Sequence, residues 1–270
     1  MTQIKKLLII GCGNMAGAML AGWLAAGFEP MRFSILSKSL EAAPGGVPLY
    51  RDVSEAVAAG GHDAVMLGFK PQQLGQRSPE IQALTGEGIA VYSLLAGITL
   101  KQLKAAYPSA SSHIRVMPNL ACRVNKSPII LAETGMGESD RTHAFAFFNP
   151  LGTALWLEEE AKYDLVTALA GSGPGFVYRF IDALAEAAVE LGLERDQATS
   201  LALATVDGAS TLAANADASP SVLADQVASP GGMTREGLNV LDSDKALVEL
   251  LIRTLEGTAS RGAELSAGVN

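Results

Sequence analysis

The chain is poor in the residues that build disulfide frameworks, metal centres and nucleic-acid surfaces. It has only two cysteines, Cys12 and Cys122, far apart in sequence, so no disulfide scaffold is expected and a reducing, cytoplasmic setting fits. Its three histidines, His62, His113 and His143, stand in separate contexts without metal-ligand spacing, and Cys122 has no activating neighbour. Neither a metal site nor a hydrolytic triad is indicated. No basic run occurs and the net charge is −8, which argues against a nucleic-acid partner. The longest apolar stretches, such as 198–214, are broken by Thr, Ser, Asp and Gly, so no membrane span is expected. Residues 1–10 are too short and too charged for a signal peptide.

What is present is an Ala- and Gly-rich chain of 270 residues, long enough for two cores. Apolar runs at 6–10, 31–36, 64–69, 89–94 and 113–117 alternate with helical patterns at 15–26, 53–59, 72–84 and 99–106. That alternation predicts an α/β domain, a Rossmann-type doubly wound parallel sheet. A further strand pair at 128–131 and 153–157 flanks a helix at 140–148, and the sequence turns almost wholly helical after Glu158-Glu159-Glu160. The expected division is a dinucleotide-binding domain over 1–158 and an all-α domain over 159–270. Helices near 174–191 and 195–214 carry Ala on most faces, which calls for burial on several sides and favours packing between subunits, an Ala-rich bundle closing on itself being the alternative.

Gly11-Cys12-Gly13-Asn14-Met15-Ala16 follows the first strand and opens a helix, the setting required of a G-x-G-x-x-A phosphate loop. Gly11 permits the turn, Gly13 leaves room for a pyrophosphate, Ala16 lets helix and strand approach, and the Asn14 and Met15 amides open the helix. The second strand ends in Ser37-Lys38-Ser39 rather than in an acid, which favours the 2′-phosphate of NADPH, with NADH the weaker alternative and Glu41 the contrary sign. Lys70-Pro71 and Met117-Pro118-Asn119 close later strands, where doubly wound folds bind ligands; Asn119 is a candidate for the nicotinamide ribose or carboxamide.

Near the other end, Ser229-Pro230-Gly231-Gly232-Met233-Thr234 is a tight turn into a helix. Both glycines permit φ > 0, and the free amides beside the Ser229 and Thr234 hydroxyls make a receptor for a small anion. A plain helix start capped by Thr234 is the competing reading.

These motifs, with Gln72 after Lys70-Pro71, Arg115-Val116 before Met117, Ala168-Leu169-Ala170-Gly171-Ser172-Gly173-Pro174, Thr205-Val206-Asp207-Gly208-Ala209 and Arg261-Gly262-Ala263-Glu264-Leu265, resemble the pyrroline-5-carboxylate reductase family in order over nearly the whole chain. Leu120-Ala121, Ala204 and Asp217 stand where that family usually has Thr-Pro, Gln and Glu, which leaves open a paralogue acting on a related cyclic imine. The resemblance implies NADPH-dependent reduction of 1-pyrroline-5-carboxylate to L-proline. It also implies an interlocked homodimer, or a homo-oligomer of dimers, in which a neighbouring subunit presents the 229–234 turn. Thr234 would then serve the imine nitrogen, directly or through water, while Ser229, Gly231, Gly232 and Met233 form the carboxylate receptor. A six-membered cyclic imino acid or a small keto or hydroxy acid is the alternative substrate. A nucleotide sensor without turnover is a third reading, against which the intact 229–234 turn argues.

Overall fold

A computed structural model describes residues 4–267. Residues 1–3 of the opening segment and 268–270 of the expected helical domain lie outside the described residues. Two compact units emerge. One comprises the chain up to Gly171 together with the segment from Thr258, and the other is Ser172–Gly257.

The first unit is built on a single eight-stranded sheet. In chain order its elements are β1 (Leu7–Ile10), α1 (Asn14–Ala25), β2 (Phe33–Leu36), β3 (Leu49–Tyr50), α2 (Val53–Ala59), β4 (Ala64–Leu67), α3 (Leu74–Ile81), β5 (Ala90–Ser93), α4 (Leu100–Ala106), β6 (Ser112–Met117), β7 (Ser127–Thr134), α5 (Glu138–Phe148), β8 (Gly152–Trp156) and α6 (Tyr163–Val166). The strand order is β3-β2-β1-β4-β5-β6-β7-β8. The order reverses beside β1, which pairs with both β2 and β4. At such a switch point the loops beyond the strand ends part and leave a crevice.

β1, β2, β4 and β5 are buried at every residue, as an interior parallel sheet covered on both faces requires. One face packs around Trp23, whose indole N–H donates to the Phe147 carbonyl at 2.9 Å and whose ring lies within 5.6 Å of Phe33, Phe147 and Phe148. The other face gathers Leu8, Ile10, Val65, Leu67, Ile81, Leu103 and Tyr107.

Three features depart from the expected pattern. β7 runs antiparallel to β6, so the sheet is not parallel throughout. The hairpin follows from the short connection: Asn119 to Lys126 is too brief for a crossover helix, and Asn125 in the left-handed region at φ 55° turns the chain back. β3, only two residues long, was not expected. Third, residues 159–171 pack with the first unit rather than opening the second. Tyr163 is buried with Met117, Ile130 and Ala132, and Ala170 packs against that cluster. The chain completes this stretch as a short π-helix, Thr167–Gly171.

The second unit contains α7 (Gly173–Glu190), α8 (Arg195–Ala214), α9 (Pro220–Val227) and α10 (Met233–Asp242), and α11 (Ala246–Ala267) divides between the units after Gly257. Its described buried cluster consists of Ala185, Ala198 and Ala202. Large apolar side chains such as Tyr178, Leu191, Leu201, Leu212, Val240 and Leu250 lie more than half exposed. A unit with so small a core and so much exposed apolar surface requires a partner surface. Among the described residues no helix is long and apolar enough to cross a membrane.

Candidate active site

Gly11 bonds into the ends of the central strands. Its amide donates to the Leu36 carbonyl at 2.9 Å, and the Gly68 amide donates to the Ile10 carbonyl at 2.9 Å. Gly11 takes φ +85°, and a Cβ on Gly68 would stand 2.3 Å from the Gly11 oxygen and 3.0 Å from the Ala16 Cβ. Both positions therefore demand glycine: one for its left-handed backbone, the other for the close approach of the two turns.

α1 then begins at Asn14 without any side-chain cap and with no acidic residue in its first turn. Its first amides and the positive end of its dipole are thus left to an external anion. A Cβ on Gly13 would enter open space before the helix, with no atom of the described residues, its chain neighbours apart, within 4 Å of it.

That place belongs to a cavity of about 820 Å³ within the first unit. It brings together Gly11, Gly13, Asn14, Met15, Ser37, Lys38, Lys70 and Pro71 of the expected cofactor residues. Ala16 lies buried beneath the turn, where it packs. The arrangement fits a dinucleotide, with the pyrophosphate at the uncapped helix and a phosphate-bearing ribose beside the β2 end. Ser37 is buried, its Oγ accepting the Leu40 amide at 3.2 Å, and Lys38 is exposed. Arg51 clamps the loop that carries them, donating to the carbonyls of Ser37, Leu40 and Glu41. Glu41 is not among the residues that line the cavity.

Met117, Pro118 and Asn119 are not brought to this cavity. All three are buried. The Asn119 side chain donates to the Ala170 carbonyl at 2.9 Å and accepts the Ala121 amide at 2.9 Å, so it ties the 119–125 turn to the π-helix. Met117 faces Gly171, where an added Cβ would lie 2.9 Å from its sulfur.

The sequence reading missed Phe69, Gln73, Gln76, Arg77 and Glu80, which also line the cavity. The signal existed: positions 73, 76, 77 and 80 form a polar i, i+3, i+4, i+7 stripe that starts at the residue before α3 and runs along that helix. Cys12 lines the cavity too, and burial pushes its thiol pKa up, so it stays protonated. Burial does the same to Cys122. Among the described residues no cluster of His, Cys, Asp and Glu is placed to hold a metal ion.

In the second unit the 229–234 turn differs from expectation in detail. Only Gly231 has positive φ, at +72°, while Gly232 is ordinary extended backbone at φ −82°, ψ 162°. The reason is the turn bond itself: the Gly232 amide donates to the Ser229 carbonyl at 2.9 Å. That amide is spent, so the donors left for an anion are those at the start of α10 and the Gly231 amide. Gly232 is the N-cap of α10 and no side chain caps it; Thr234 stands inside the first turn and caps nothing. Ser229, Met233 and Thr234 are exposed.

Comparison with known proteins gives concordant results. Residues 160–265 match the family model described as pyrroline-5-carboxylate reductase dimerisation. Pyrroline-5-carboxylate reductase 2 of Bacillus subtilis is 33% identical over 270 residues, covering 97% of this chain and 95% of the relative. The structure of a pyrroline-5-carboxylate reductase from Coxiella burnetii superposes with a TM-score of 0.89 at 31% identity, covering 97% of this chain and 98% of that one. A Plasmodium falciparum pyrroline carboxylate reductase with NADP bound shares the fold, with a TM-score of 0.82 at 24% identity and coverage of 98% and 100%.

Proposed function

The chain belongs to the pyrroline-5-carboxylate reductase family, and from that premise we propose that it reduces the C=N bond of 1-pyrroline-5-carboxylate to give L-proline, with NADPH as the hydride donor. The observation that carries this reading is the uncapped start of α1 opening on a cavity lined by Lys38, Lys70 and Arg77. In a protein of net charge −8, cations gathered there serve a local anion and not a general field. When bound, the dinucleotide supplies the hydride.

The remaining work falls to the 229–234 turn. The Ser229 hydroxyl and the free amides of Gly231, Met233 and Thr234 hold the substrate carboxylate, assisted by the α10 dipole. The Thr234 hydroxyl donates a hydrogen bond at the ring nitrogen, directly or through a water, so that the imine carbon becomes a better hydride acceptor. Holding the ring in place supplies much of the rate. Within this reading the chain acts through the helical region as a homodimer or as a homo-oligomer of dimers. Its two free thiols, Cys12 and Cys122, suit a cytoplasmic setting.

The test is NADPH oxidation by purified protein supplied with five-membered and six-membered cyclic imino acids. Preference for the five-membered ring is expected. Faster turnover of the six-membered substrate would reassign the enzyme within the same architecture. Cofactor binding with no turnover of either would overturn the assignment as a reductase.

A further inference from the structure

Resting on the reading of the 820 Å³ cavity as a dinucleotide site, we propose that Arg77 selects the 2′-phosphorylated cofactor, exchanging its ion pair with Glu80 for the phosphate. Of the cations lining the cavity, Lys38 is an exposed lysine on a loop, whereas Arg77 is held. Its guanidinium lies 4.7 Å from the centroid of the Phe69 ring, itself a cavity residue, and its side chain is 21% exposed. A planar guanidinium fixed on an aromatic face offers several N–H donors at one orientation, which matches a phosphate better than a mobile ammonium does.

Its place along α3 suits the adenosine end of the ligand. Lys70 lies at the turn closing β4, beside the glycine loop where the pyrophosphate would sit. Arg77 follows it by seven residues, in the first turn of α3, and shares the cavity with the Ser37-Lys38-Ser39 end of β2.

The partner that occupies Arg77 now is a weak one. The contact runs from Arg77 Nε to Glu80 Oε1 at 3.3 Å, within one helical turn, and the Glu80 side chain is 43% exposed. An exposed i,i+3 pair of this kind contributes little. A phosphate carrying nearly two negative charges is the stronger acceptor. Glu80 has a role in the absence of that phosphate: it neutralises Arg77, so a dinucleotide lacking the 2′-phosphate gains no charge-assisted contact there. Selectivity then comes from an exchange of anions at one guanidinium and not from the β2 loop alone.

The experiment is equilibrium binding, without turnover, of NADPH, NADH, 2′,5′-ADP and 5′-AMP to the wild-type protein and to Arg77→Gln and Glu80→Gln. Arg77→Gln is expected to weaken NADPH and 2′,5′-ADP by about tenfold or more while NADH and 5′-AMP stay within about twofold. Glu80→Gln is expected to leave NADPH binding equal or tighter. Equal loss for phosphorylated and unphosphorylated ligands, no loss at all, or selective loss of NADPH on Glu80→Gln would each overturn the exchange. Wild-type protein that binds neither dinucleotide would instead overturn the reading of the cavity, and the role of Arg77 with it. Unchanged melting temperature in both variants keeps folding out of the comparison.

Discussion

Replacing Gly232 by alanine tests the carboxylate receptor through its geometry. The backbone at φ −82°, ψ 162° accepts alanine without strain. The new Cβ would stand 2.6 Å from Ser229 Oγ and 3.1 Å from the Ser229 carbonyl oxygen. The first contact is with the tip of an exposed side chain, so the hydroxyl rotates away; the second asks the turn to give by a few tenths of an ångström. Stability should hold, because the small strain is offset by about 0.4–1 kcal/mol from the lower entropy of the unfolded alanine chain. What is lost is the position of the Ser229 hydroxyl. A hydrogen bond to a charged carboxylate contributes about 1.5–3 kcal/mol, so the KM for the imino acid should rise roughly ten- to hundredfold, with NADPH affinity unchanged. The decisive assay is a double-mutant cycle with Ser229→Ala. If Gly232→Ala acts by displacing that hydroxyl, then adding it to Ser229→Ala should change KM little. Fully additive effects, or a normal KM in Gly232→Ala, would refute this account of the turn.

Thr234→Val should lower turnover by about 10²–10⁴-fold if the hydroxyl serves the ring nitrogen, while calorimetry finds the melting temperature unmoved, since Gly232 and not Thr234 occupies the cap. Sedimentation at micromolar concentration should find no active monomer, given the exposed apolar side chains of the helical unit. His62, half-buried and paired with the Ser34 hydroxyl at 2.7 Å, has its pKa lowered to about 4 by burial and then by Lys6. The folded protein resists protonation that the unfolded chain accepts below about pH 6.5. Stability from this group is therefore present above that pH and lost as pH falls toward about 4, and urea melts of His62→Gln should show a shallower decline across that window.

The centre of the sheet was legible because β1 and β4 are continuous apolar runs followed by glycine. β1 and β4 needed nothing beyond Leu7–Ile10 and Ala64–Leu67. β3 was not, because two half-buried residues, Leu49 and Tyr50, carry no pattern of their own and are strand only by pairing with Ile35 and Leu36. The glycine loop at 11–16 was legible as a motif, whereas the contribution of α3 to the same cavity arises from which face of that helix the sheet leaves uncovered. Asn119 shows the converse. A polar residue at a strand end has the composition of a ligand group, yet one N–H of its amide goes to Ala170 and its oxygen accepts the Ala121 amide, fifty-one and two residues away. Spacing along the chain carries no record of the first of these bonds. The expected boundary near 158 followed the change to helical composition, and the matched dimerisation segment starts at 160, while the packing of Tyr163 with Met117 and Ile130 carries the first compact unit on to Gly171.

The first unit is discontinuous, and this orders events at the ribosome. Everything up to Gly171 can collapse around Trp23 and the central strands while the rest of the chain is still being made. The stretch from Thr258, which belongs to the same unit, arrives only after all the helices of the second have been synthesised. A Cβ added at Gly262 would stand 3.5 Å from the Asp164 carboxyl carbon, so this late segment closes directly on the short helix that follows the sheet. The nascent helical unit, with three alanines as its described core, meanwhile waits for a second chain with its apolar faces uncovered. Completion of the subunit and recruitment of its partner thus fall in the same interval, once the segment from Thr258 has been made, when association competes with aggregation and the local concentration of such chains decides the yield.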